Sequence, residues 1–525
     1  MSRRSADGDG YARRYFFMGT SPPSNASVPT PVGRTFDFSA TRAFAEQKPT
    51  VIALAVITLL ALLCRVHALT ESLWIDELHT SWCLQDSLWQ VFPRAAEGNQ
   101  GPIYFVAQWL WIACVGESEF TLRFPSLVAG LLTPAAVYWC VQKLDFGENS
   151  VRLGLLAAAL SATDDYAIFY SQEARPYAWV ILLSILHFTH VIVWQRSPTR
   201  AATWGISLGC VLLFYLHYTT VLLFLAEAVC VLAGWLWQRG KLQFNLRELL
   251  LLTVIVGLSL APAFPQLRQL ADRSPNWKQF VEIPTLANLV WIFPGAIGLI
   301  GVLVVPVIQR LQGRAGEKPR LPANFIIALW LVVPLVVAWI STRFDFARLF
   351  FPRYLLFALP ASWILPALAI HFVRDLREWL VGAALLLTCW VYHQTPVREI
   401  WQPPADGVRG EDWRGAIKWL NEENAEMHHN VIINSGMIES SRQSITELHR
   451  SSIASDSYLK LPVIGLYRLS LVDQQIHLVP HHERAAFWTI TRGRDRDMFF
   501  LRGKDRMFGR QKRIEFGSVV VSHYE

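Results

Sequence analysis

Long apolar segments follow one another along this chain, and they constrain its fold more than any other feature. A helix needs about 20 mostly apolar residues to cross a bilayer. Apolar residues make up 53% of the 525 positions and charged residues only 17%, whereas about 25% of a typical soluble domain is charged. The chain therefore has too little charged surface to cover its apolar mass in water. The sequence predicts a polytopic α-helical membrane protein.

Eleven segments are apolar enough to be predicted as transmembrane helices. They are residues 50–68, 122–143, 150–170, 176–195, 202–217, 219–238, 246–266, 287–310, 324–341, 353–371 and 375–394. The apolar segment 102–115 is only about 14 residues long, which favours a helix lying in the plane of the membrane interface. Residues 1–48 are polar and are predicted to form a disordered cytoplasmic tail.

Basic residues in the loops predict the orientation of these helices. If 102–115 does not span the bilayer, the basic loop residues share one side with the Arg-bearing N-terminal tail, and that side is cytoplasmic. These basic residues are Lys143, Arg152, Arg196, Arg200, Arg239, Lys241, Arg247, Arg310, Arg314, Lys318, Arg320, Arg374 and Arg377. The outer face then holds the first outer loop (69–121), three shorter loops at 171–175, 267–286 and 342–352, and everything after about 395. We expect an integral protein of a bacterial inner membrane.

The chain changes character after the last predicted span. Residues 396–525 are densely charged, an amphipathic helix begins at Asp412-Trp-Arg, and VIINSG, IHLV, AFWTIT and GSVVVS are predicted strands. This segment is predicted to be a small extracytoplasmic α/β domain. It contains no nucleotide-binding fingerprint, and no nucleic-acid partner is expected. A basic run between Arg492 and Arg513 is either a solvated face or a docking site for anionic groups.

Charged side chains near membrane depth are costly and need a reason. The first such cluster is Trp74-Ile-Asp-Glu, after the first predicted span. In a partly dry pocket, Asp76 or Glu77 can have a raised pKa and act as a base near neutral pH, and adjacent carboxylates can hold a divalent cation. The structural alternative is the first turn of a helix, where acidic residues are favoured.

A second cluster joins two apolar helices in the sequence TDDYAIFYSQEARPY. Its polar members are Asp164, Asp165, Tyr170, Gln172, Glu173 and Arg175. Polar side chains this dense between two apolar helices indicate a functional site. The alternative is an ion pair, either between Glu173 and Arg175 or between helices.

Two further clusters lie on the same predicted face. His217 and Tyr218 form a short outward turn, although a lone histidine is more often structural than catalytic. Arg353 begins a predicted span, with Arg343 and Arg348 close in sequence. A fixed guanidinium at head-group depth can bind a phosphate with two hydrogen bonds. The alternative is an interfacial anchor whose charged end reaches towards water.

The ordered motifs resemble those of membrane glycosyltransferases of the C-type fold, in the clan of protein O-mannosyltransferases and aminoarabinose transferases. The motifs are Trp74-Ile-Asp-Glu, Gly101-Pro-Ile-Tyr-Phe, Glu117-Ser-Glu-Phe-Thr-Leu-Arg-Phe-Pro-Ser, Tyr170-Ser-Gln-Glu-Ala-Arg-Pro-Tyr, Arg353-Tyr-Leu and Asp412-Trp-Arg. The resemblance covers residues 50–395 in order, and the tail more loosely. It implies a polyprenyl-phosphate-linked sugar donor, used on the extracytoplasmic face, with a lipid, glycan or protein acceptor.

The resemblance also implies roles for particular residues. The catalytic carboxylate carries over to Asp76, with Glu77 beside it and Glu173 assisting. Asp164 and Asp165 lie outside the family pattern and leave open which acid serves. Taken together with the clusters above, the predicted substrate-binding residues are Tyr170, Gln172, Arg175, His217, Tyr218, Arg353 and Tyr354. Asp76 would be the base of an inverting transfer, Arg353 and Arg175 would hold the phosphate, and a divalent metal between Asp76 and Glu173 stays open.

A transporter or flippase of a lipid-linked or anionic substrate is the alternative function. Transporters usually place charges near the middle of the bilayer, often in repeated halves of the chain. Here the acidic residues gather at one predicted face, and the sequence contains no two-fold internal repeat. These features favour the transferase.

Overall fold

The computed structural model describes residues 39–197, 199–237, 246–279, 281–293, 295, 298–299, 323–370, 373–393, 407–427, 429–434, 465–470, 486–492 and 509–525. The chain divides into two units, residues 1–48 and residues 49–525. The second unit contains the elements that position the candidate site.

Apolar helices form the larger part of the described chain. They are α1 (Ser39–Leu63), α2 (Ile75–Cys83), α3 (Leu88–Glu97), α4 (Ile103–Val115), α5 (Glu119–Leu144), α6 (Ser150–Ala162), α7 (Asp165–Ser171), α8 (Tyr177–Arg196), α9 (Arg200–Leu216), α10 (Val221–Trp237), α11 (Leu246–Leu260), α12 (Phe264–Arg273), α13 (Asn288–Trp291), α14 (Ala323–Arg343), α15 (Leu359–Leu368) and α16 (Leu376–Tyr392). By length and composition, five helices in the described ranges can cross a membrane: Glu119–Leu144, Tyr177–Arg196, Tyr218–Trp237, Leu250–Arg273 and Ala323–Arg343. This confirms a mostly helical protein with apolar spans, and the count of eleven remains a prediction.

Two of the predicted spans are interrupted. A single helix over 150–170 is wrong, because α6 ends at Ala162 and the Asp164 carboxylate accepts a hydrogen bond from the Ala167 backbone N–H at 2.9 Å, which starts α7. The segment 353–371 begins with a 3₁₀ turn, Pro352–Tyr354, and α15 starts only at Leu359. Most of the predicted span 287–310 lies outside the described residues.

The first outer loop is itself helical and consists mainly of α2, α3 and α4. Its turns use Asp86 (φ 68°) and Asn99 (φ 59°), residue types that tolerate the left-handed region. Gly101 lies so close to the Tyr215 carbonyl that a Cβ would be 1.8 Å from its oxygen. The loop therefore rests directly on the end of α9. The predicted in-plane segment 102–115 corresponds to α4, whose 13 residues are too few to span a bilayer.

The C-terminal part combines helix α17 (Trp413–Met427) with strands β1 (Asn430–Asn434), β2 (Phe487–Arg492), β3 (Arg510–Phe516) and β4 (Val519–Tyr524). The sheet order is β1-β2-β4-β3, with β1 parallel to β2 and the other pairs antiparallel. Three strands lie where the sequence predicts them, and this confirms a small C-terminal sheet. The predicted strand IHLV lies outside the described residues.

Strand β3 was not predicted, because its sequence RQKRIEF reads as part of the basic run. It is an edge strand and is largely exposed, so charged side chains along it are ordinary. Arg492 does not fit the prediction of a solvated or docking face, because it forms an ion pair with Glu411 at 2.7 Å. The basic residues between 493 and 508 lie outside the described residues.

A buried ion pair fastens α2 to α5. Arg123 donates from Nε to Glu77 Oε1 at 2.8 Å and from Nη2 to Oε2 at 2.5 Å, and both residues have 0% exposure. Glu77 Oε1 also accepts from the Ala174 backbone N–H at 2.8 Å. Burial alone would raise the pKa of Glu77, but Arg123 outweighs it and holds that pKa below the ordinary value. Glu77 is thus fully occupied by structural partners.

We expect Glu77→Gln to lower the free energy of unfolding by about 3–5 kcal/mol, since it leaves the Arg123 guanidinium buried without a counter-ion. The matched control is Asp86→Asn, which removes the charge from an ion pair with Arg94. The Asp86 side chain is 65% exposed, and Asn tolerates the positive φ of this position. That change should cost about 0–1 kcal/mol. Unfolding by denaturing detergent in mixed micelles measures both. Equal losses in the two variants would contradict a fastening role for the Glu77–Arg123 pair.

Candidate active site

Most of the predicted site residues line one cavity of about 80 Å³. It lies between the first outer loop, the turn after α9 and the segment preceding α15. The predicted residues that line it are Asp76, Arg175, His217, Tyr218, Arg353 and Tyr354, and further lining residues include Tyr177, Trp277 and Arg348. Segments far apart in sequence thus build one chamber.

Asp76 and Arg353 form an ion pair inside this cavity. Arg353 Nη1 lies 3.1 Å from Asp76 Oδ2, although the residues are 277 positions apart. Their side chains are 15% and 10% exposed respectively, so water screens the pair only weakly. The Arg353 guanidinium also lies over the rings of Phe351 and Tyr354, at 5.3 and 5.4 Å from the ring centroids. These contacts fix the cation beside the carboxylate.

Arg175 approaches the same end of α2. Its Nη1 donates to the Asp76 backbone carbonyl at 3.2 Å and to His79 Nδ1 at 3.3 Å. The Arg175 Nε is buried and has no hydrogen-bond partner within the described part of the chain. Arg348 is anchored by the Val281 carbonyl at 3.1 Å and lines the cavity too. Three guanidinium groups therefore line the chamber, and Asp76 is the single carboxylate among the described residues that line it.

The charge state of Asp76 follows from these neighbours. Burial alone would raise its pKa, but the guanidinium groups of Arg175 and Arg353 outweigh burial and hold that pKa below the ordinary value. The sequence-based expectation of a raised pKa is therefore wrong in direction, because it considered the dry pocket without the cations. Asp76 is a carboxylate anion at neutral pH.

His217 is neutral, and its hydrogen bonds fix which ring nitrogen holds the proton. The Thr219 hydroxyl donates its single proton to the Tyr354 carbonyl at 2.7 Å, so its oxygen accepts from His217 Nδ1 at 2.7 Å. The other ring nitrogen, Nε2, is then an acceptor. Burial and the charges of Arg353 and Arg175 lower the pKa of His217 to about 3. The cavity wall thus carries a neutral hydrogen-bond acceptor between cations.

Four predicted site residues do not line this cavity: Glu77, Tyr170, Gln172 and Glu173. Besides the structural contacts of Glu77 described above, the Tyr170 ring packs against Tyr177 at 4.9 Å between centroids, and Gln172 Nε2 bonds His67 Nδ1 at 3.2 Å. Both Glu173 carboxylate oxygens are buried without a hydrogen-bond partner among the described residues. Burial raises the pKa of Glu173 to about 7.

Sequence reasoning missed residues that reach α2 from the C-terminal part. Glu411 and Tyr467 contact its N-terminal end, and neither stands in a motif that would have marked it. Arg123 stands within a quoted motif, but only the structure reveals its pairing with Glu77. The missing information is in each case a long-range contact.

The donor set does not fit a divalent metal. Among the described residues, no three His, Cys, Asp or Glu side chains converge on a common point. The Asp76 carboxylate faces guanidinium groups, whose positive charge opposes a second cation, and Glu173 is not among the residues lining the cavity. Hard cations prefer several oxygen ligands.

The raised pKa of Glu173 predicts that the stability of the protein depends on pH. Its pKa is about 7 in the folded protein against an ordinary value of 4.5, so the stability contributed by the protonated form is present below about 4.5 and is lost as the pH rises towards about 7. We expect the melting temperature of Glu173→Gln, relative to wild type, to rise across this interval and to level off above it. Thermal unfolding in detergent over a pH series measures this. A constant difference would contradict the buried, protonated carboxyl.

No protein-family model matches the sequence, and no curated protein matches it. Two solved structures share the fold with a TM-score of 0.50. The oligosaccharyltransferase of Archaeoglobus fulgidus in its apo form is 12% identical and aligns with 81% of this chain and 65% of its own, so this chain spans less than two thirds of its length.

The second solved structure is apo ArnT from Cupriavidus metallidurans. It is 11% identical and aligns with 92% of this chain and 98% of its own. ArnT is also known bound to undecaprenyl phosphate, in a structure that matches with a TM-score of 0.47 and 12% identity over 91% of this chain and 98% of its own. The two matches with a TM-score of 0.50 show that the chain has the polytopic fold of the oligosaccharyltransferase and of ArnT. This is the C-type fold of the membrane glycosyltransferases that the sequence motifs resemble.

Proposed function

We propose that this chain is a membrane glycosyltransferase, which moves a sugar from a polyprenyl phosphate to an acceptor at the extracytoplasmic side of a bacterial inner membrane. The observation that carries the proposal is the Asp76–Arg353 pair, at 3.1 Å, in a cavity that Arg175 and Arg348 also line. A carboxylate beside several fixed cations supplies what transfer from a phosphate carrier requires. The basic loops described above support the orientation.

The reaction needs positive charge at the departing phosphate and a base for the proton of the acceptor. The bond between the anomeric carbon and the carrier phosphate oxygen breaks, and that oxygen leaves with the electron pair. The acceptor oxygen or nitrogen bonds to the same carbon, and its proton passes to Asp76. Arg353 and Arg175 stabilise the departing phosphate, because guanidinium groups match phosphate oxygens in geometry and charge.

Donor binding would also activate the base. In the described state Arg353 is the counter-ion of Asp76 and holds the carboxylate pKa low, which makes Asp76 a weak base. A donor phosphate competes for Arg353 and adds negative charge near Asp76, and both effects raise the pKa of the carboxylate. Asp76 therefore becomes a competent base only when the leaving group is in place.

A single displacement with inversion fits this arrangement. A double displacement uses a nucleophilic carboxylate together with a second acid–base group close by. Among the described residues that line the cavity, Asp76 is the only acidic one. The phosphate is already a good leaving group, so the reaction needs no separate acid. We therefore propose one step, with the acceptor attacking opposite the phosphate.

The neutral His217 would orient the sugar. Its Nε2 can accept a hydrogen bond from a sugar hydroxyl or ammonium group, while the adjacent guanidinium groups take the phosphate. Undecaprenyl phosphate, which ArnT binds in one of its structures, suggests a carrier of the same chemical kind here. Acceptors of the lipid, glycan and protein classes all offer the hydroxyl or amine that this mechanism uses.

Asp76→Asn should lower sugar transfer by at least about a hundredfold, because the amide cannot take the acceptor proton. The assay is mass spectrometry of envelope glycolipids and glycoproteins from cells that carry either the wild type or the variant. Asp86→Asn, which changes an exposed carboxylate in the same outer loop, is the control and should retain activity. Full transfer by an Asp76→Asn protein present at wild-type level would remove Asp76 from the mechanism.

Arg353→Ala should weaken the binding of undecaprenyl phosphate by about tenfold or more, the loss expected for charge-assisted hydrogen bonds to phosphate. Arg343→Ala is the matched control, since Arg343 is exposed at the end of α14 and does not line the cavity. Native mass spectrometry of the protein in nanodiscs measures both affinities. Equal affinities for the two variants would show that Arg353 is only an interfacial anchor.

A further inference from the structure

Helix α2 carries Asp76 in its first turn but lacks an N-cap side chain of its own. The first backbone N–H groups of a helix have no partner within that helix, and a Ser, Thr, Asp or Asn usually accepts from them. Here the N-cap residue is Trp74, whose indole has a donor and no acceptor. The acceptors for this end of the helix therefore come from elsewhere.

The C-terminal part supplies an acceptor for the first residue of α2 and a second acceptor just before the helix. Glu411 Oε2 accepts from the Ile75 backbone N–H at 3.1 Å, across 336 residues of sequence. The Tyr467 hydroxyl accepts from the Leu73 backbone N–H at 2.9 Å. The N–H between them, on Trp74, is satisfied within the loop by Glu77 at 3.4 Å. Three successive backbone donors are thus held, two of them by side chains from the C-terminal part.

Glu411 is fixed in position by its own contacts. Its Oε2 also accepts from Trp413 Nε1 at 2.8 Å, and its Oε1 accepts from Arg492 Nε at 2.7 Å. Its backbone bridges to Gly517 in the turn between β3 and β4. The Glu411 side chain is only 4% exposed. A buried carboxylate held by two side chains and a sheet hairpin is a rigid acceptor.

We propose that Glu411 is a positioning residue for the transfer reaction: by capping α2 from the C-terminal part of the chain, it holds the Asp76 carboxylate in its place in the cavity. This inference rests on the proposed function for its kinetic part. Ile75 is the first residue of α2 and Asp76 the second, so movement of this end shifts the carboxylate directly. A misplacement of about 1 Å can cost about a hundredfold in rate.

The test uses the full-length protein in nanodiscs, with two readouts. The first is hydrogen–deuterium exchange at the Ile75 amide, and the second is sugar transfer resolved into kcat and KM for the donor. Glu411→Ala should expose the Ile75 amide to faster exchange and lower kcat by about 10- to 100-fold, with the donor KM changed by less than about threefold. A carboxylate that only stabilised the fold would not produce this split.

Three further variants separate the effect of the cap on α2 from the other contacts of the C-terminal part. Glu411→Gln keeps an oxygen for Ile75 and Trp413 but cannot accept from Arg492, so it should restore most of the amide protection and of kcat. Tyr467→Phe, which removes one hydroxyl, should loosen Leu73 in the same way as Glu411→Ala loosens Ile75. Glu423→Ala breaks an ion pair with Lys512 in the same domain, away from α2. It should change neither readout.

Unchanged protection of Ile75 in Glu411→Ala would overturn the proposal. Failure of Glu411→Gln to restore either protection or kcat would overturn it too, because the effect would then belong to the Arg492 pair and not to the cap. If the wild-type protein transfers no sugar from any polyprenyl phosphate donor, the proposed function fails. The exchange comparison still decides in that case whether Glu411 holds α2.

Discussion

The ion pair between Asp76 and Arg353 is the interaction on which the arrangement of the cavity depends. Charges taken out of water are costly unless they are paired, and burial here leaves each side chain 15% exposed or less. The partners come from α2 and from the 3₁₀ turn before α15, so both segments must meet at one point. Arg175, which follows α7, is drawn to the same place by the Asp76 backbone carbonyl. These three segments, together with the turn after α9, line the cavity.

Two adjacent acids on one short helix have separate tasks. Successive residues of an α-helix point about 100° apart, so Asp76 faces the cavity while Glu77 faces α5 and the buried Arg123. The pair with Arg123 fixes the helix, and the fixed helix presents Asp76. The resemblance implies a catalytic role for Asp76 with Glu77 beside it, and of the two only Asp76 lines the cavity.

Much of the fold could be predicted from the sequence, because long apolar runs and alternating strand patterns are local signals. The break at Asp164 could not be predicted from the apolar pattern, because a single carboxylate can cap a new helix within an apolar stretch. The clusters around Asp76, Arg175 and Arg353 could be identified in the sequence, because charged side chains between apolar segments carry a free-energy cost and so indicate a function. Their mutual geometry could not, and neither could the role of Glu411, because contacts across hundreds of residues leave no trace in local pattern.

The order of the strands has a consequence for biosynthesis. Strand β4 lies between β2 and β3 in the sheet, and Glu411 is bridged to the hairpin that leads into β4. Every described membrane helix is synthesised before β4. A nascent chain would thus contain all of these helices, and Glu411 itself, before the hairpin that holds Glu411 was made. The contact of Glu411 with Ile75 would reach its final geometry only once β4 had joined the sheet.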